Sequence, residues 1–117
     1  MFIVTIVLSG LLAIVFVGTG VRKVPGGSAI AAEANHLGFS PRAYQVIGVL
    51  ELAAVAGLLI GLAWAPLGIA AAAGLVLLMA GAAVAHRRAG DPIPRIAAPA
   101  ALCVIAAATV VLRSLSA

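Results

Sequence analysis

Charge is scarce in this 117-residue chain: only 9% of its residues are Asp, Glu, Lys or Arg. A soluble domain carries roughly 25%. Acidic residues number three, aromatics make up 4%, and Cys103 is the lone cysteine. Each shortage excludes something. With so little charge and 65% hydrophobic residues, the chain is neither disordered nor a coiled coil nor an ordinary soluble globule. Scattered aromatics give no stacking platform for bases, so nucleic acid is not an expected partner. One cysteine closes no internal disulfide. Two histidines, His36 and His86, fall short of a metal or haem site, and Glu33 three residues before His36 does not complete one. No nucleophile elbow, phosphate loop or zinc-protease motif is present.

What the chain has is long apolar runs, and a mean hydropathy of +1.30. Four runs cover residues 2–21, 44–62, 66–85 and 96–112. Each is close to the roughly 20 residues that cross a bilayer core as a helix. Period-two alternation is absent, and barrel strands are shorter. The predicted fold is therefore all-α, an antiparallel four-transmembrane-helix bundle forming one domain over residues 1–117. No Lys or Arg precedes the first run, so it is expected as a retained span and not a cleaved signal.

Punctuation between the runs is legible. Pro25-Gly26-Gly27 breaks the chain, Ser28 is expected to cap a short helix reaching His36, and Gly38 to stop it. Ser40-Pro41 reads as the cap and first residue of the second span. Pro66 starts the third, and the fourth is expected after Asp91-Pro92-Ile93-Pro94, with Pro99 bending it near Arg95. Tyr44 and Trp64 are placed as interfacial aromatics. Gly57 with Gly61, Ala70 with Gly74, and Gly81 with Ala85 are small-xxx-small pairs suited to helix packing.

Basic residues set the topology. Arg22, Lys23, Arg42, Arg87, Arg88 and Arg95 flank two loops on one side, and only Arg113 flanks the other. The positive-inside rule places loops 22–43 and 86–95, with the short helix in the first, in the cytoplasm and both termini outside. These basic loops also suit contact with anionic lipid.

Glu51 is the residue most in need of explanation. It lies about seven residues into the second span, roughly 10 Å below the interface at 1.5 Å per residue. A carboxyl group at that depth must face the bundle interior and find a partner. Lys23, Arg22 and His86 end helices on the same side and are the candidates. Gly48, Ala54, Leu58 and Gly61 share the Glu51 face, and Gly48 leaves room for the Lys23 stem. The pair either fixes helix register or forms a proton, quinone or ligand site. The basic cluster around His86 also complements the helix dipole. Cys103, mid-span, reads as a small buried hydrophobe.

Taken together, Gly20-Val21-Arg22-Lys23, Leu37-Gly38-Phe39-Ser40-Pro41 and Ile47-Gly48-Val49-Leu50-Glu51-Leu52 resemble the DoxX-like family of small four-helix membrane proteins. So do Gly57-Leu58-Leu59-Ile60-Gly61, the run from Met79 to His86, and the loop from Arg87 to Pro92. The resemblance covers most of the chain and implies Lys23, Gly48, Glu51 and His86 as the positions to carry over. It implies a bacterial plasma-membrane protein with no catalytic activity of its own, serving as an accessory or assembly subunit. Members associated with quinol or thiosulfate oxidation imply an alternative, a redox-associated subunit binding a quinone or lipid near Glu51. A small dimeric transporter ranks third, since four short helices leave little room for a pore. No resident cofactor or metal is expected. The partners implied are membrane lipids and either a second copy or a larger membrane protein.

Overall fold

The computed structural model describes residues 2–116 as five helices joined by short turns. They are α1 (Phe2–Lys23), α2 (Ser28–His36), α3 (Pro41–Ile60), α4 (Ala65–Arg88) and α5 (Ile93–Leu115). Four of them are long and apolar enough to cross a membrane. Neighbours run antiparallel, and contacts α1–α3, α3–α4, α4–α5 and α5–α1 close a ring, with α2 laid against α3. The long dimension is 41 Å, matching a bilayer core of about 30 Å plus its interfaces.

Prolines mark where the spans begin. The second begins at Pro41 and ends at Ile60, with Ser40 as its cap, as the Ser40-Pro41 pair predicts: the Ser40 hydroxyl accepts from the Ala43 amide at 3.1 Å. The last begins at Ile93, three residues early, and runs to Leu115. Pro94 sits in its first turn, where an amide has no helical partner to lose, so proline starts the helix instead of delaying it. Pro99 lies inside α5 and is buried, with helix on both sides. Ser28 is not the cap of α2. Gly27, at φ 104°, holds that position, and Ser28 is the first helical residue. Gly38, at φ 86°, ends the short helix as expected, and the Phe39 amide donates to the Ala34 carbonyl at 2.8 Å.

The main apolar cluster spans all four long helices. Leu12 and Phe16 of α1 meet Leu58 of α3, Leu75 of α4 and Ala106 of α5. Outside it, large apolar side chains face outward: Ile14 and Leu77 are each 75% exposed. That surface is unstable in water and ordinary in lipid. At the end opposite the basic loops, the buried Arg113 binds α5 to the α3–α4 turn. Its guanidinium donates to the carbonyls of Gly61 at 3.1 Å and Leu62 at 3.3 Å, satisfying acceptors that a helix end leaves orphaned.

Small residues bring α1, α3 and α4 into close contact. A Cβ on Gly48 would lie 2.7 Å from the Lys23 Cβ, and one on Gly57 would lie 2.8 Å from the Ala71 Cβ. The other two small-xxx-small pairs behave differently from expectation. A Cβ on Gly74 or Gly81 would meet nothing within 4 Å, so these glycines line the outside of the bundle.

Candidate functional site: a chain of buried and interfacial ion pairs

Helix α3 carries Glu51 into the bundle with no solvent exposure. The Lys23 Nζ donates to its Oε1 at 2.5 Å, and the Thr19 hydroxyl donates to Oε2. Thr19 and Lys23 are four residues apart on α1, so one helical face supplies both donors. Gly20 and Gly48 let α1 and α3 approach closely enough for this: a Cβ on Gly20 would fall 2.7 Å from Leu52 Cγ. Both carboxylate oxygens are thereby satisfied, which a charge in a low-dielectric interior requires.

From Lys23 the network runs to the membrane edge. The Lys23 ammonium stands 4.9 Å from the centre of the Tyr44 ring, within cation–π range. The Tyr44 hydroxyl donates to Glu33 Oε1 at 2.5 Å. Glu33, on α2, also receives both arms of the Arg22 guanidinium, at 2.6 and 3.0 Å, a fork geometry peculiar to arginine. Arg22 hydrogen bonding, aided by Tyr44, holds the Glu33 carboxyl down at about 2 from an ordinary 4.5, against the opposing effect of burial. The sign follows. A depressed carboxylate stabilises the fold above the ordinary value, and that stabilisation is lost as pH falls from about 4.5 to about 2. The Glu33 side chain is 35% exposed, so the effect is at the surface scale of about 0.2–1 kcal/mol. Arg22→Gln should remove most of this acid sensitivity, measured as the shift in unfolding midpoint across that window. An unchanged shift would show that another carboxylate carries it.

Three expected placements are corrected. Arg22 does not reach Glu51; its partner is Glu33, which α2, packed against α3, brings to the end of α1. His86 does not reach it either. Its Nδ1 pairs with Asp91 Oδ2 at 2.5 Å, and His36 Nε2 takes Asp91 Oδ1 at 2.5 Å. Asp91 thus clasps α2 to the end of α4, and hydrogen bonding to His36 first, then His86, lowers its pKa. Gly90, at φ 74°, turns the chain so that Asp91 reaches back. Tyr44 is buried under α2, with its ring stacked on Phe39 at 6.2 Å, and is not a freely interfacial aromatic; Trp64, 61% exposed, stands free of the bundle. Thr19, Glu33, Tyr44 and Asp91 are network members that sequence reasoning missed as such. The spacing of Thr19 from Lys23 was the available signal.

Cys103 is part-buried, with its thiol 3.5 Å from the Val76 carbonyl. No group of three or more metal-ligating side chains gathers among the described residues, and none of their buried polar side-chain atoms lacks a hydrogen-bond partner.

Such a fold and polar network define an integral membrane protein of the α-helical class, with a charged pair locked between its first two spans. The chain belongs to the DoxX-like family, whose model matches residues 7–109. No curated protein and no solved structure matches it.

Proposed function

We propose that this DoxX-like protein is an accessory or assembly subunit of a larger membrane complex, with no catalytic activity of its own. One observation carries the reading. On α1, Gly10, Ile14 and Gly18 follow at four-residue steps; Ile14 is 75% exposed, and a Cβ at either glycine would meet nothing within 4 Å. Gly10 and Gly18, two turns apart, leave hollows on either side of the projecting Ile14 in which side chains of another helix can seat in lipid. The partner is a second copy or a larger membrane protein. A photo-crosslinking residue at position 14 should give one discrete protein adduct in native membranes, at the mass of a homodimer or of a single larger partner. Lipid adducts alone would sink the proposal.

The same reading sets the chain in a bacterial plasma membrane with loops 22–43 and 86–95 cytoplasmic and both termini outside, supported by the six-to-one basic asymmetry. A cysteine at position 90, with Cys103 replaced by Ser, should resist a membrane-impermeant maleimide in intact cells and react after permeabilisation. Reaction in intact cells would reverse the orientation.

A second reading, a subunit that binds a quinone or lipid near Glu51, is favoured by a cavity. About 240 Å³ of space lies beside Lys23 and Tyr44, walled by Ile47, Phe39 and Met79. Organic extraction of the purified protein should then yield a stoichiometric quinone or lipid.

A further inference from the structure

We propose that the groove between the α2–α3 turn and α4 is a site for one anionic phospholipid. Its head lies at Arg88, and an acyl chain passes over Gly81 into the cavity beside Lys23. The inference deepens the second reading above and rests on it. An outer hollow of about 640 Å³ and the inner cavity of about 240 Å³ share Leu37, Phe39 and Gly81 in their walls. Gly81 is where they join. A Cβ there would meet nothing within 4 Å, so the missing side chain is open space.

Charge selects the ligand. No carboxylate lines either hollow, whereas Lys23, His36, His86 and Arg88 do. Lys23 is matched by Glu51, and both histidines by Asp91. Arg88 has no ion-pair partner among the described residues and is exposed, which leaves its guanidinium free to take an anion. That charge closes the last turn of α4, at headgroup level. Gly81 lies about 10 Å and Leu77 about 16 Å deeper at 1.5 Å per residue. Leu77 is 75% exposed, so the groove is entered sideways from the lipid. An anion at the interface with an apolar chain descending from it is a phospholipid. An apolar helix from a partner protein would bring nothing to Arg88.

The test is native mass spectrometry of the purified protein in detergent, with phosphatidylglycerol and phosphatidylcholine of identical chains. One phosphatidylglycerol should be retained, with a preference of at least about fivefold, the effect of one arginine near an anionic surface. Arg88→Gln should abolish the preference and keep the binding. Gly81→Leu fills the junction and should reduce both lipids to background, while melting without lipid no lower than the wild type, because its Cβ meets nothing within 4 Å and leucine is the better helix former. Equal retention of the two lipids, graded uptake without a one-to-one limit, or unchanged binding by Gly81→Leu would overturn the proposal. Competition by inorganic phosphate alone would overturn it in favour of a free-anion site. Retention of added ubiquinone with neither phospholipid held would overturn it while sparing the second reading. No saturable ligand of any kind would end both.

Discussion

Lys23→Met should lower the stability of the purified protein by about 3–5 kcal/mol, the scale of stranding one member of a buried ion pair. The partner left behind is Glu51, with no solvent exposure and only the Thr19 hydroxyl still donating to it. A neutral hydroxyl does not replace an ammonium at 2.5 Å. Solvent offers little relief, since the Lys23 side chain itself is only 10% exposed. The loss should be largely reversed by adding Glu51→Leu, because an apolar pair of similar bulk needs no partner and suits the interior. Glu51→Gln should fall between, keeping an acceptor for Lys23 while losing the charge. Thermal unfolding in one detergent, followed by circular dichroism, reads all four chains. A Lys23→Met protein as stable as the wild type would show that the pair contributes nothing to folding. The double variant also separates two roles. If the pair only fixes register, the folded Lys23→Met/Glu51→Leu protein keeps the position-14 crosslink and any retained ligand. If the charges themselves bind something, a folded protein loses it.

How much of this was readable in advance depends on the range of the interaction concerned. Glu51 could be singled out because a carboxylate two turns into an apolar run is anomalous whatever surrounds it. Lys23 followed from the helix ends, and Gly48 from the space the stem needs; both are consequences of one helix packed on one neighbour. The rest of the network depends on α2, which folds back onto α3 through Ile30, Ala34 and Tyr44. A nine-residue helix carries too weak a pattern to announce which face of a span it covers. Tyr44 therefore looked like an interfacial anchor, and Arg22 and His86 looked free to turn toward Glu51. In the fold, Glu33 and Asp91 are nearer and engage them first. Three acidic residues serve the chain, and each has a cationic or histidine partner. The start of the last helix was misplaced for a local reason: Pro94 in a first turn begins a helix, and reading it as a breaker delays the start.

Gly61→Ala should cost about 1–3 kcal/mol, at the upper part of that overpacking range, although alanine is the better helix former. The obstacle is backbone. A Cβ on Gly61 would lie 2.2 Å from the Gly68 Cα and 2.4 Å from the Gly68 nitrogen. A flexible side chain could swing aside from such a contact, but a helix axis must shift. Two features resist that shift. Only the residues between Ile60 and Ala65 connect α3 to α4, so the helices cannot splay at this end without breaking a tight turn. Arg113 also holds the Gly61 and Leu62 carbonyls from α5, and moving the turn would strand its buried guanidinium. The fair comparison is Gly74→Ala, since Gly74 lies in α4 with nothing within 4 Å of the added carbon. There the same substitution should be neutral or stabilising by about 0.5–1 kcal/mol, through reduced backbone freedom in the unfolded chain. In thermal melts in one detergent, Gly61→Ala should therefore fall below the wild type while Gly74→Ala stays level or rises. If Gly61→Ala melted at or above the wild type, α3 and α4 would have room to separate at their turn, and the close approach would not be what holds that end of the bundle.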